Sequence, residues 1–128
     1  MKKCTVLVVI VFILFMATGA MAELNISGIW ATGGGGISHE QTIYSQRGNN
    51  VVVTGYFEIN GIPYVWHGTG TLKGNVLEYS YFWGKNPDMG NGPNGKHVIT
   101  FAADGKSFTA QWSDNNGNSG TFRSIKQR

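Results

Sequence analysis

The chain has 128 residues, a formal charge of +3, a single cysteine and 19 glycines. Once Lys2 and Lys3 are set aside, 8 Lys and Arg oppose 7 acidic residues. No basic stripe remains, which excludes nucleic acid as a partner. Cys4 is the one cysteine, and a mature chain beginning at Glu23 would contain none, which excludes disulfide staples and thiol chemistry there.

The first 22 residues read as an export signal. Lys2 and Lys3 precede an unbroken apolar run over 6–17, and Ala20-Met21-Ala22 supplies small residues for cleavage after Ala22. Twelve apolar residues are short for a membrane span, which needs about 20. Cys4 precedes the apolar run, whereas a lipidated cysteine would follow it. The expected organisation is a signal peptide at 1–22 and one domain at 23–128. The mature domain is secreted or periplasmic and has no membrane partner after cleavage.

From residue 23 onward no helical period of apolar residues occurs. Alternation by two, cut by turn dipeptides, predicts strands at about 25–32, 37–46, 51–59, 62–72, 76–83, 96–103, 106–113 and 119–125. Asn60-Gly61 and Asp104-Gly105 read as two-residue hairpin turns with positive φ at both positions. Gly74-Asn75 and Gly48-Asn49 read as two more.

These turns set a register. About Asn60-Gly61, Ile59 faces Ile62, Phe57 faces Tyr64, Gly55 faces Trp66 and Val53 faces Gly68. About Gly74-Asn75, Leu72 faces Leu77, Gly70 faces Tyr79, Gly68 faces Tyr81 and Trp66 faces Trp83. About Asp104-Gly105, Phe101 faces Phe108, Ile99 faces Ala110 and His97 faces Trp112. All lie on one face, since side chains alternate. Glycines opposite large rings suit the concave side of a curved sheet. Trp30 and Phe122 join that face. In the second strand, Ile37 and Ile43 compete with Tyr44 for the inside, and the pattern leaves both choices open. The predicted fold is all-β: a small up-and-down antiparallel barrel of about eight strands, closed so that no edge is exposed.

Ser27-Gly28-Ile29-Trp30, Gln46-Arg47-Gly48 and Val53-Thr54-Gly55-Tyr56 resemble the opening strands of avidin- and streptavidin-type barrels. The segments at 70–77 and 103–112 resemble a pattern of small secreted bacterial β-domains. The resemblance implies a barrel with a binding mouth. It does not extend to biotin contacts: Ala31-Thr32 and four glycines follow Trp30, and Phe57-Glu58 follow Tyr56.

Signatures of catalysis are missing. There is no Gly-x-Ser-x-Gly and no phosphate-binding loop. Gly33 to Gly36 are followed by no helix. His39, His67 and His97, with Glu40 and Asp88, match no metal-ligand spacing, so no metal or other cofactor is expected. Asp114-Asn115-Asn116-Gly117-Asn118 lacks the closing carboxylate of a calcium loop and reads as a turn. Glu58 and Glu78 read as outer-wall charges. The chain is read as no enzyme.

The aromatics remain. Trp66, Tyr79, Tyr81, Trp83 and Trp112, with His97 at the rim, are the candidate ligand-binding residues. Tyr and Trp carry polar groups that need partners when buried. The 84–95 loop leaves beside Trp83 and returns beside His97, at the rim of this face. The expected function is a binding module for a small apolar, aromatic or sugar-like ligand. The alternative is a filled barrel serving a structural role or a protein partner.

Overall fold

The computed structural model describes residues 23–32, 38–84 and 94–128, apart from the side chains of residues 38, 39 and 59. The expected export signal, the four glycines, Ile37, Asp88 and most of the 84–95 loop lie outside the described residues. Eight strands follow in chain order: β1 (Gly28–Thr32), β2 (Ser38–Arg47), β3 (Asn50–Ile59), β4 (Ile62–Lys73), β5 (Val76–Trp83), β6 (Gly95–Phe101), β7 (Ser107–Asp114) and β8 (Ser119–Lys126). Each pairs antiparallel with the next, and β8 pairs with β1 to close the barrel.

The predicted register holds in every pair the turns define. Ile59 faces Ile62, Gly55 faces Trp66, Trp66 faces Trp83 and His97 faces Trp112. Asn60 has φ 53° and Gly61 φ 78°, the conformation a two-residue hairpin demands. The turn at 104–105 differs from expectation. Gly105 has φ 66°, but Asp104 does not enter the left-handed region. The strands end at Phe101 and Ser107, and the connection is closed by Ala102 N–H to Ser107 O and Gly105 N–H to Ala102 O, both 2.9 Å. The register survives because the wider loop keeps the same centre.

The competition in β2 resolves in favour of Tyr44. Its ring is buried, whereas Ile43 is 49% exposed on the outer wall. The inner face of β2 therefore reads Glu40, Thr42, Tyr44, a polar sequence that hydrophobic alternation did not select.

One end of the barrel is filled. Trp30, Tyr44, Phe101 and Phe108 form a quartet with ring centroids 5.2–6.0 Å apart. Ile26 lies fully buried below them. The predicted strand at 25–32 is shorter than expected, because Gly28 turns the chain with φ 140° and residues 23–27 cross the floor instead. Gln46 holds that segment. Its Oε1 accepts from Ile26 N–H at 2.8 Å, and its Nε2 donates to Leu24 O at 3.0 Å. Trp30 Nε1 donates to Ile26 O at 3.0 Å. The opposite end carries the Asn60-Gly61 hairpin, Gly84, Asn94 and the 115–118 turn, and forms the mouth.

Candidate functional site

Five of the six candidate residues come together in the upper barrel. Trp66 on β4, Tyr79, Tyr81 and Trp83 on β5 and His97 on β6 all point inward, as the period of two requires. Tyr81 and His97 have ring centroids 4.5 Å apart, Tyr79 and His97 5.0 Å, Trp66 and Trp83 5.7 Å. Phe57 and Tyr64 extend the cluster to the rim, stacked at 5.0 Å with an 8° angle between planes. Trp112 stands apart. It lies half-buried with its indole against Gly120 of β8 and makes no ring contact with the cluster among the described residues.

Glycine makes this arrangement fit. A Cβ at Gly55 would lie 1.9 Å from Trp66 Cε2, so the indole rests directly on the β3 backbone. The cluster is tight: Trp66 and Tyr79 are 3% exposed, Tyr81 4% and His97 8%. Trp83, Phe57, Tyr64 and Phe122 are only half-buried and form the accessible lip, and Trp112, also half-buried, lies outside it.

The polar chemistry centres on Tyr79. Its hydroxyl shares a 2.6 Å hydrogen bond with His97 Nδ1. Burial pushes the Tyr79 hydroxyl well above its ordinary pKa, so it stays protonated. Burial also lowers His97 to about 4, which keeps the imidazole neutral. Trp66 and Tyr44 face the Tyr79 hydroxyl closely enough to act on it, yet neither makes a hydrogen bond of good geometry to it. Tyr81 is better satisfied, donating to Ser113 O at 3.2 Å.

Four buried polar atoms have no hydrogen-bond partner among the described residues: Thr42 Oγ1, Tyr44 Oη, Trp66 Nε1 and Trp83 Nε1. Each such orphan costs about 1–3 kcal/mol. Buried polar groups of this kind are in most cases met by water or another partner, and these four divide between β2 and the β4–β5 pair.

A second wall faces the aromatics and was missed by sequence reasoning. Thr32 Oγ1 and Ser124 Oγ lie 2.5 Å apart across the β1–β8 seam. Beside them, Thr32 faces Glu40 closely enough to act on its carboxyl. Burial raises the Glu40 carboxyl from its ordinary 4.5 to about 7, the nearby Thr32 hydroxyl only partly offsetting this. Its charge also reaches Tyr44 and Tyr79. With Thr42 these groups make a polar strip over β8, β1 and β2. The signal that could have found part of it was parity: once Tyr44 points inward, so must Thr42, whereas the ladder shift between Ser38 and Gln41 takes Glu40 out of reach of that rule.

The remaining candidates lie elsewhere. His67 is exposed on the outer wall, its ring 6.0 Å from Phe82. Glu78 pairs with Lys96 at the surface, and Glu58 accepts from Tyr56 Oη. Asp114 is spent on its own turn, its Oδ1 accepting from Asn116 and Asn118 N–H at 3.0 and 2.8 Å. Among the described residues no group of three or more His, Cys, Asp or Glu is placed to hold a metal. The outer wall carries shallow furrows between strands, such as that lined by Val98, Thr100, Thr109, Gln111, Thr121 and Arg123.

No known family, no curated protein and no solved structure matches this chain. Its function must therefore be argued from the barrel itself.

Proposed function

We propose that the chain is an exported, non-catalytic binding module whose barrel mouth takes one small ring-bearing ligand. The observation that carries this reading is the pair of unpartnered indole N–H groups, Trp66 Nε1 and Trp83 Nε1, within the aromatic cluster at the open end. Apolar ring faces with a few convergent polar groups are the usual composition of a small-ligand pocket. Export rests on the charged start, the apolar run and the small residues before Glu23. The avidin-like strand pattern supports a mouth site of this kind without naming its ligand.

A filled barrel with a protein partner is the second reading. It is favoured by the near-complete burial of Trp66, Tyr79 and Tyr81, which leaves little room behind the lip. Trp83→Ala separates the two. Saturation-transfer NMR with indole, benzamide and methyl glucoside would be recorded on both proteins. A ligand site predicts that a bound probe weakens at least ten-fold in the variant. No probe binding to either protein, with stability lowered by about 3–5 kcal/mol in the variant, would select the filled barrel.

A further inference from the structure

Two glycines let aromatic side chains reach across the sheet to β2. The Trp66 indole lies on Gly55, where a Cβ would stand 1.9 Å from Cε2, the carbon bonded to Nε1. Gly55 pairs with Thr42 on β2, so no β3 side chain separates the indole from Thr42 in that row. The Tyr79 ring crosses β4 at Gly68, its Cδ2 2.8 Å from the place of a Cβ. Gly68 pairs with Val53 and Val53 with Tyr44, so Tyr79 leans from β5 toward Tyr44. All four side chains are out of reach of bulk solvent: Thr42 is 1% exposed, Tyr44 2%, Trp66 and Tyr79 3%.

Their polar atoms are unequally provided for. Tyr79 Oη has its 2.6 Å bond to His97 Nδ1. Thr42 Oγ1, Tyr44 Oη and Trp66 Nε1 have no partner among the described residues, and they do not serve one another. Trp66 and Tyr44 both stand near enough to act on the Tyr79 hydroxyl without bonding to it. Polar atoms that converge without meeting are the usual lining of a buried water site.

Donor arithmetic selects the occupant. An indole N–H only donates, whereas the Thr and Tyr hydroxyls both donate and accept. A water accepts from Trp66 and from one hydroxyl and donates to the other, which is the usual complement of about three bonds. An apolar group would leave all three atoms unsatisfied. A calcium or magnesium ion would need six or more oxygen ligands and would face an indole donor.

We infer that one water molecule is buried between β2 and β4, accepting from Trp66 Nε1 and bridging the hydroxyls of Thr42 and Tyr44. It joins the two aromatic clusters, since Tyr44 belongs to the floor quartet and Trp66 to the mouth. The inference needs no mouth ligand. A ligand at the lip would meet Trp83 Nε1 directly and Trp66 Nε1 through this water, because water-bridged contacts are nearly as favourable as direct ones.

High-resolution crystal structures of the unaltered protein and of Thr42→Val test it, with oxygen-17 relaxation dispersion to count long-lived waters in solution. The unaltered protein shows one solvent peak within about 2.7–3.2 Å of Thr42 Oγ1, Tyr44 Oη and Trp66 Nε1. Thr42→Val deletes one partner at nearly constant volume, and the peak loses at least half its occupancy. The dispersion amplitude falls in step. Should Thr42→Val fail to fold, the structure of the unaltered protein decides. A direct bond from Trp66 Nε1 to Tyr79 or Thr42, or closed packing with no peak, overturns the inference. Extended density from an organic molecule at the same atoms overturns it too, and supports the mouth as a ligand site.

Discussion

Glu40 and His97 should cancel each other's effect on stability over two pH units, and removing either should expose the other. Glu40 is raised from 4.5 to about 7 in the folded barrel. Between these values the unfolded chain has lost the proton that the native state keeps. Stability therefore falls as pH rises through this window, by roughly 1.4 kcal/mol per unit. The total is about 3 kcal/mol, less whatever solvent screens at the half-buried carboxyl. His97 is lowered from 6.5 to about 4. Between those values the unfolded chain holds a proton that the native state rejects, so stability rises with pH at the same slope. The windows overlap from 4.5 to 6.5, where the two slopes oppose and the native interior is neutral. Urea denaturation followed by tryptophan fluorescence at half-unit steps from pH 4 to 8 would measure this. Stability of Glu40→Gln minus that of the unaltered protein should climb by about 3 kcal/mol between pH 4.5 and 7. The same difference for His97→Gln should fall by a similar amount between pH 4 and 6.5. Differences remove the contribution of every other titrating group. A difference constant to within about 0.5 kcal/mol across the range would refute the burial of these two groups.

Two further outcomes follow from packing. Gly55→Ala places a Cβ against the indole of Trp66 and should destabilise the barrel by about 1–3 kcal/mol, read by urea denaturation, with a shifted tryptophan emission. Gln46→Ala removes bonds to Leu24 O and Ile26 N–H, and should speed amide exchange at Ile26 more than at Ile99 in the wall.

Much of the barrel was legible because two independent signals agreed. Turn dipeptides fixed where the chain reverses, and small residues then fell opposite large ones. Gly55 against Trp66 and Ala110 against Phe122 show that complementarity in the folded register. The floor was not legible, because Ile26 looks like any strand residue until Gly28 turns the chain away from the sheet. The aromatic half of the mouth was read correctly as inward. The polar half was hidden for a physical reason. Hydrophobic alternation assumes that the inside is apolar, and β2 presents Glu40 and Thr42 there with Ile43 outside. Such a violation is where function is to be sought, since a buried carboxyl contributes nothing to packing.

Native mass spectrometry of protein purified from its producing cells without denaturation tests the mouth site most directly. A ligand site predicts a mass above that of the polypeptide, lost on denaturation and diminished in Trp83→Ala. A bare polypeptide mass that no ring probe increases would contradict it and leave the barrel as a filled scaffold.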